Sequence, residues 1–328
     1  MGQAHDLAAR VLARDRRALA RAITLVESTL AEDEALAEAL LAALLPRAGG
    51  GLRIGISGPP GAGKSTFIEA FGLHLIGQGH KVAVLAVDPS SPRSGGAILG
   101  DKTRMEGLAR HPDAFVRPSA SGGTLGGVAL RTGEAVTVAE AAGYDRVLVE
   151  TVGVGQSETA VADLADMFML LVAPGGGDEL QGVKRGIVEL ADLVVVTKDD
   201  GDLAAAAGRL AADYGSALPL LRPPGPGWRP RVVRCSALTG SGIAAVAAET
   251  EAFVQATASF RGARRAAQAQ RRLWAALHDA LDRRVRSDAG LSPLLKALEA
   301  EVAGGRASPL AAARRLLAEI FAKGSMRP

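Results

Sequence analysis

Residues 58–66 read Gly58-Pro59-Pro60-Gly61-Ala62-Gly63-Lys64-Ser65-Thr66. The run fits Gly-x-x-x-x-Gly-Lys-Ser, a pattern that requires a strand, a loop and the start of a helix in that order. Both flanks agree: Leu52, Ile54 and Ile56 alternate ahead of it, and a helix-like stretch runs from Phe67 to Ile76. The glycines let backbone N–H groups curl around a polyphosphate, and the helix N-terminus adds partial positive charge. Gly58 to Gly63 and Thr66 would line that cradle. Lys64 would neutralise the β- and γ-phosphates, and the Ser65 hydroxyl would ligate Mg²⁺.

The rest of the chain alternates around this loop. Strands are expected at 52–57, 81–87, 114–117, 146–150, 167–173, 193–197 and 232–236, with helices near 65–77, 127–142, 157–165, 180–191, 202–214 and 243–257. That alternation predicts an α/β fold with a doubly wound, mostly parallel sheet. Leu7, Val11, Leu19, Ile23, Val26 and Leu30 recur at helical spacing over 6–45, before Pro46 and Gly49-Gly50-Gly51. From about 260 strands disappear, and Leu273, Trp274, Leu277 and Leu281 form an apolar stripe fit for core or subunit packing. Further helices are expected at 291–303 and 308–322. The division is therefore an N-terminal helical extension (1–48), a nucleotide-binding domain (49–259) and a C-terminal helical arm (260–328).

Composition removes several classes. Lys and Arg number 38 against 35 Asp and Glu, too even for a dedicated nucleic-acid surface. Aromatics make up 3% of residues, too few for base-stacking platforms. The longest apolar stretch, Met167 to Ala173, is far short of the roughly 20 residues that span a bilayer. The single Cys235 excludes an intramolecular disulfide and fits a reducing, cytoplasmic setting. The five histidines are scattered, which disfavours a metal-delivery role.

Strand ends carry the remaining chemistry, because they line the ligand crevice of such sheets. Asp88 follows one and can hold Mg²⁺ or orient water. Asp101 lies beyond Gly95, Gly96 and Gly100 in a loop suited to reordering around a γ-phosphate. Glu150-Thr151-Val152-Gly153 stands where G proteins place Asp-x-x-Gly: the acid reaches Mg²⁺ through water, and the Gly153 N–H senses the γ-phosphate. No Gln directly follows Gly153, so intrinsic hydrolysis is expected to be slow. Thr197-Lys198-Asp199-Asp200 fits Asn/Thr-Lys-x-Asp. A carboxylate at Asp200 accepts from guanine N1–H and N2–H₂, a donor pair adenine lacks. Lys198 would lie over the base, and Thr197, lacking the usual amide, should hold the base and the phosphate loop less firmly. Ser236-Ala237-Leu238 follows the last strand, where a backbone N–H meets guanine O6. Together these select GTP and GDP over ATP. The segment 175–184 fits either a capped helix start or an element that reports nucleotide state.

Four runs together resemble one family: 84–91, 98–105, 149–158 and 177–184, with 15–24 in support. They are similar to the MeaB/ArgK G proteins, GTPase chaperones of adenosylcobalamin-dependent methylmalonyl-CoA mutase. The resemblance covers roughly four-fifths of the chain and weakens after about 260. It implies a P-loop NTPase of the SIMIBI class and a homodimer formed through the C-terminal arm. It also implies a GTP switch that gates cofactor loading and protects or reactivates the mutase. By similarity Ser65, Asp88, Asp101 and Glu150 belong to the metal and switch regions. Lys64 and Lys184 are catalytic contacts, the latter in a third switch loop. Related acyl-CoA mutases as partner, a metallochaperone GTPase, and an ATPase or kinase tied to amino-acid transport are the competing readings.

Overall fold

The computed structural model describes residues 2–87, 105–118, 125–151, 161–175, 185–221, 223 and 225–322. The chain divides into two compact units, Met1–Arg271 and Arg272–Pro328. In the first, seven strands form one sheet: β1 (Leu52–Ser57), β2 (Val82–Val87), β3 (Ala114–Pro118), β4 (Arg146–Thr151), β5 (Met167–Val172), β6 (Leu193–Val196) and β7 (Arg231–Arg234). Their order is β3-β2-β4-β1-β5-β6-β7, and every pairing is parallel. The expected α/β architecture is thus present, with no antiparallel strand among the described residues.

Parallel sheets are covered on both faces, so their strands read as continuous apolar runs. β1, β5 and β6 are buried along their whole length. Alternate side chains serve opposite layers. Phe168, Leu170, Val194 and Val196 join one core; Met167, Met169, Leu193 and Val195 join the other. The first core is roofed by α1 (Gly2–Leu12), α2 (Arg16–Glu27) and α3 (Ala31–Leu44). The second packs against α4 (Lys64–Gly77), through the stacked rings of Phe67 and Phe71. Short α5 (Glu106–Arg110), longer α6 (Leu125–Ala141), short α7 (Arg185–Val188) and α8 (Ala204–Ala217) complete the crossovers described. Helix α9 spans Ile243–Ser287.

The N-terminal tract, expected to be helical, is built of three helices. Arg14 takes a left-handed φ of 62°, and the Asp15 carboxylate caps α2 by accepting from the Arg17 and Ala18 N–H groups. Ser28 is extended and ends that helix. Leu30 consequently falls in a link and is exposed, whereas Leu7, Val11, Leu19, Ile23 and Val26 are buried. The change of pattern near 260 falls inside α9, which runs through it unbroken.

In the second unit, α10 (Ser292–Ala303) and α11 (Pro309–Ala322) pack together and bury Leu298, Ala312 and Ile320. Leu273, Trp274 and Leu277 are exposed, so most of the stripe is not spent on packing within the chain.

Candidate nucleotide site

The phosphate loop joins the buried end of β1 to the first turn of α4. Gly58 lies so close to β5 that a Cβ there would collide with the Leu171 carbonyl oxygen. Gly61 and Gly63 have φ of 82° and 81°, and a Cβ on either would meet nothing within 4 Å. The loop thus combines a tightly seated root with a left-handed, open rim. That backbone is what lets successive N–H groups face an anion. Lys64 Nζ donates to the carbonyls of Gly58 at 2.8 Å and Pro59 at 3.3 Å, folding back over the space a phosphate would take. Ala62 is buried, whereas Pro60 and Thr66 are exposed.

β4 ends beside β1 and brings the acid of the switch segment to the loop. The Ser65 hydroxyl donates to Glu150 Oε1 at 3.3 Å, and both residues are buried. One step on, the Thr151 hydroxyl donates to Ser57 Oγ at 2.9 Å, also in full burial. A hydroxyl and a carboxylate in contact at a helix N-terminus fit Mg²⁺, which takes few protein oxygens and completes its shell with phosphate and water. Ser65 and Glu150 are the residues that would hold it.

The two candidate base-reading segments also converge. Thr197, buried at the end of β6, donates from Oγ1 to the Ala62 carbonyl at 2.7 Å, with a second contact to Val172 O at 3.1 Å. The threonine hydroxyl therefore bonds the phosphate loop directly. Lys198 is exposed and has φ of 57°, an uncommon left-handed non-glycine that turns the chain sharply between Thr197 and Asp200. The Ser236 hydroxyl donates to Asp200 Oδ2, and its oxygen accepts from Thr239 N at 3.2 Å. The Asp200 carboxylate is thereby oriented before any ligand arrives. Ala237 is half-buried beside it, and Leu238 is 80% exposed on the loop tip. Asp199 N–H binds the Cys235 carbonyl at 3.1 Å, locking the two segments together. Burial, with Asp199 nearby, pushes the Cys235 thiol up to about 12, so that sulfur is structural.

Asp88, Asp101, Gly153 and Lys184 lie outside the described residues, as does 176–184 as a whole. Sequence reasoning also missed two features. The Ser57–Thr151 pair had a faint signal, a hydroxyl beside each motif. The charged layer at the opposite end of the sheet had none. There Arg53 pairs with Glu140 at 2.7 Å, and Asp166 accepts from Arg53 N and Arg265. Arg265 also donates to the carbonyls of Gly49 and Gly51, tying α9 to the linker before β1.

No helix among the described residues is long and apolar enough to cross a membrane. The family described as methylmalonyl Co-A mutase-associated GTPase MeaB matches residues 19–290. A putative GTPase of Caulobacter vibrioides is 53% identical over 311 residues, covering 94% of this chain and 95% of that protein. The mitochondrial methylmalonic aciduria type A homolog of Mus musculus is 58% identical over 238 residues, 70% of this chain and 57% of that one. Among solved structures, one described as a LAO/AO transport system kinase superposes with a TM-score of 0.77 at 38% identity, covering 98% of both chains.

Proposed function

Because the chain belongs to the MeaB family of methylmalonyl-CoA mutase-associated GTPases, we propose that it is the GTP-driven chaperone of an adenosylcobalamin-dependent acyl-CoA mutase, with methylmalonyl-CoA mutase as its partner. The fold and its relatives make it a P-loop GTPase. The observation that carries the reading further is the Thr197–Ala62 hydrogen bond. It couples the segment that reads the base to the loop that holds the phosphates. Recognition of guanine then tightens the same scaffold that senses nucleotide charge.

The roles follow from chemistry. Asp200, held by Ser236, accepts from the guanine N1–H and N2–H₂. Lys198 covers the base, and the Ala237–Leu238 backbone meets O6. Lys64 exchanges the carbonyls of Gly58 and Pro59 for phosphate oxygens. Ser65 and Glu150 hold Mg²⁺, which when bound neutralises charge on the β- and γ-phosphates. Thr151, pinned to Ser57, anchors the chain that continues toward Gly153. Asp88 and Asp101 serve the metal and switch regions, and Lys184 lies in the loop that answers to the partner. The absence of a Gln directly after Gly153 keeps unassisted hydrolysis slow, so the mutase supplies the acceleration. The C-terminal helices, with Leu273, Trp274 and Leu277 exposed, form the homodimer contact. The setting is cytoplasmic.

A GTPase assay with and without methylmalonyl-CoA mutase tests this. Mutase should raise the rate, and Lys184→Ala should abolish the rise. ATP hydrolysed as fast as GTP would remove the base assignment. A rate indifferent to every adenosylcobalamin-dependent mutase tried would remove the partner.

A further inference from the structure

A cavity of about 610 Å³ opens where β5 and β6 begin, at the end of the sheet away from the phosphate loop. Its size is that of a small-molecule site. The lining is two-sided in character. Leu190, Phe253 and Phe260 give it an apolar floor, while Arg261, Arg264 and Arg271 reach it along one side of α9. The charges do not cancel. Arg271 is taken by Asp163 at 2.8 Å, and Asp166 is taken by Arg265 from behind. Arg264 reaches only Asp192, at a long 3.5 Å, and Arg261 makes no ion pair among the described residues. Burial drives the Asp192 carboxyl up to about 6, which weakens it further as a counter-charge. Two guanidinium groups thus face a mostly apolar space with one buried carboxylate between them. The base holds a second unmet group: Gln268 is 2% exposed, its Nε2 donates to Ala165 O at 2.8 Å, and its Oε1 accepts no hydrogen bond among the described residues.

We infer that this cavity is a second ligand site, separate from the nucleotide, which takes a small amphipathic carboxylate. The carboxylate lies against Arg261 and Arg264, and the hydrocarbon body lies on Phe253, Phe260 and Leu190. Charged ends bind guanidinium groups strongly where water is excluded, and the apolar body contributes by the area it removes from water.

The molecule carries its own reporter. It has two tryptophans. Trp228 is buried, donates to the Asp192 carbonyl at 2.8 Å, and packs edge-on against Phe253 with ring centroids 5.4 Å apart. Trp274 is 61% exposed. In Trp274→Phe protein, fluorescence therefore reports on Trp228 alone. Titration with octanoate should give a saturable change. Octan-1-ol should bind about tenfold more weakly, since it lacks the charge. Arg261→Gln should weaken octanoate about fivefold, and Ala263→Phe, which puts a non-emitting ring on the cavity wall, should abolish the Trp228 response. Neither residue belongs to the nucleotide site, so unchanged GDP binding shows that each variant is folded. Loss of the inference would come from an absent or unsaturable response, from octan-1-ol binding as well as octanoate, or from an unaltered Ala263→Phe. An octanoate affinity that falls as protein concentration rises would assign the cavity to a second copy of the chain, and overturns it as well.

Discussion

Thr197 Oγ1 lies 2.7 Å from the carbonyl oxygen of Ala62, and through that contact the end of β6 grips the phosphate loop. The hydroxyl is buried, so its loss is not made good by water. Val172 O, the second acceptor, also receives the Thr197 N–H at 2.8 Å and stays satisfied without it. Thr197→Val therefore leaves one orphan, the Ala62 carbonyl. The expected cost is about 1–2 kcal/mol, which appears as a roughly 5- to 30-fold weaker Kd for GDP. Thr197→Asn should bind close to the parent, because its amide can donate to the same carbonyl. Fluorescent-GDP titration of both variants checks this; equal affinity for Thr197→Val and the parent would show that the grip carries no binding energy.

In the proposed role Asp200 selects the base by accepting two hydrogen bonds. Asp200→Asn converts one acceptor oxygen into a donor while keeping an oxygen for the Ser236 hydroxyl. Guanine then meets N–H against N–H. Xanthine, with a carbonyl in place of the 2-amino group, meets its complement. GTP should lose about 10⁴-fold in affinity, and xanthosine triphosphate should become the preferred nucleotide. Competition between the two on the variant decides it; retained GTP preference would place the base elsewhere.

What the sequence made legible was local. The phosphate loop, the Thr-Lys-x-Asp turn and the Ser-Ala loop each lie within a few residues, and the strands that carry them are unbroken apolar runs. Pairings distant in the chain left no such mark. Arg53 and Glu140 are 87 positions apart, and Arg265 and Asp166 are 99 apart. Their charges look like solvated surface until the sheet brings them under its edge. The helix breaks near Arg14 and Ser28 were hidden for the opposite reason: apolar periodicity continues across them, and only the cap at Asp15 marks the first.

Removing one partner of a buried ion pair strands the other. Glu140 is 4% exposed; it holds Arg53 by two hydrogen bonds and accepts from Gly49 N at 2.9 Å. Glu140→Ala should cost about 3–5 kcal/mol of folding stability. The site of action lies away from the nucleotide, so the Kd for GDP under native conditions should barely move. Urea unfolding beside a GDP titration separates the two effects. A loss of nucleotide affinity as large as the loss of stability would mean that this layer positions the phosphate loop as well.

Asp192 gives stability a pH dependence of identifiable sign. Burial raises its carboxyl from 3.8 to about 6, against the opposing pull of Arg264 and the Phe168 N–H and with the charge of Asp166 adding to the rise. The folded chain therefore keeps a proton that the unfolded chain releases. Stability from this group is complete below about pH 4 and is lost as pH climbs through about 6. The whole effect is about 3 kcal/mol, of which about 2 kcal/mol falls between pH 4.5 and 7.5. Asp192→Asn does not titrate and still offers an oxygen to Phe168 N–H, which Asp192 holds at 2.9 Å. Carboxylates with lowered values, such as Asp145, give the opposite slope in both proteins and cancel in the comparison. Urea unfolding of parent and variant at the two pH values should then differ by about 2 kcal/mol in their pH response, the variant gaining on the parent as pH rises. Identical slopes would mean that Asp192 is ionised throughout, with Arg264 close enough in solution to hold its charge.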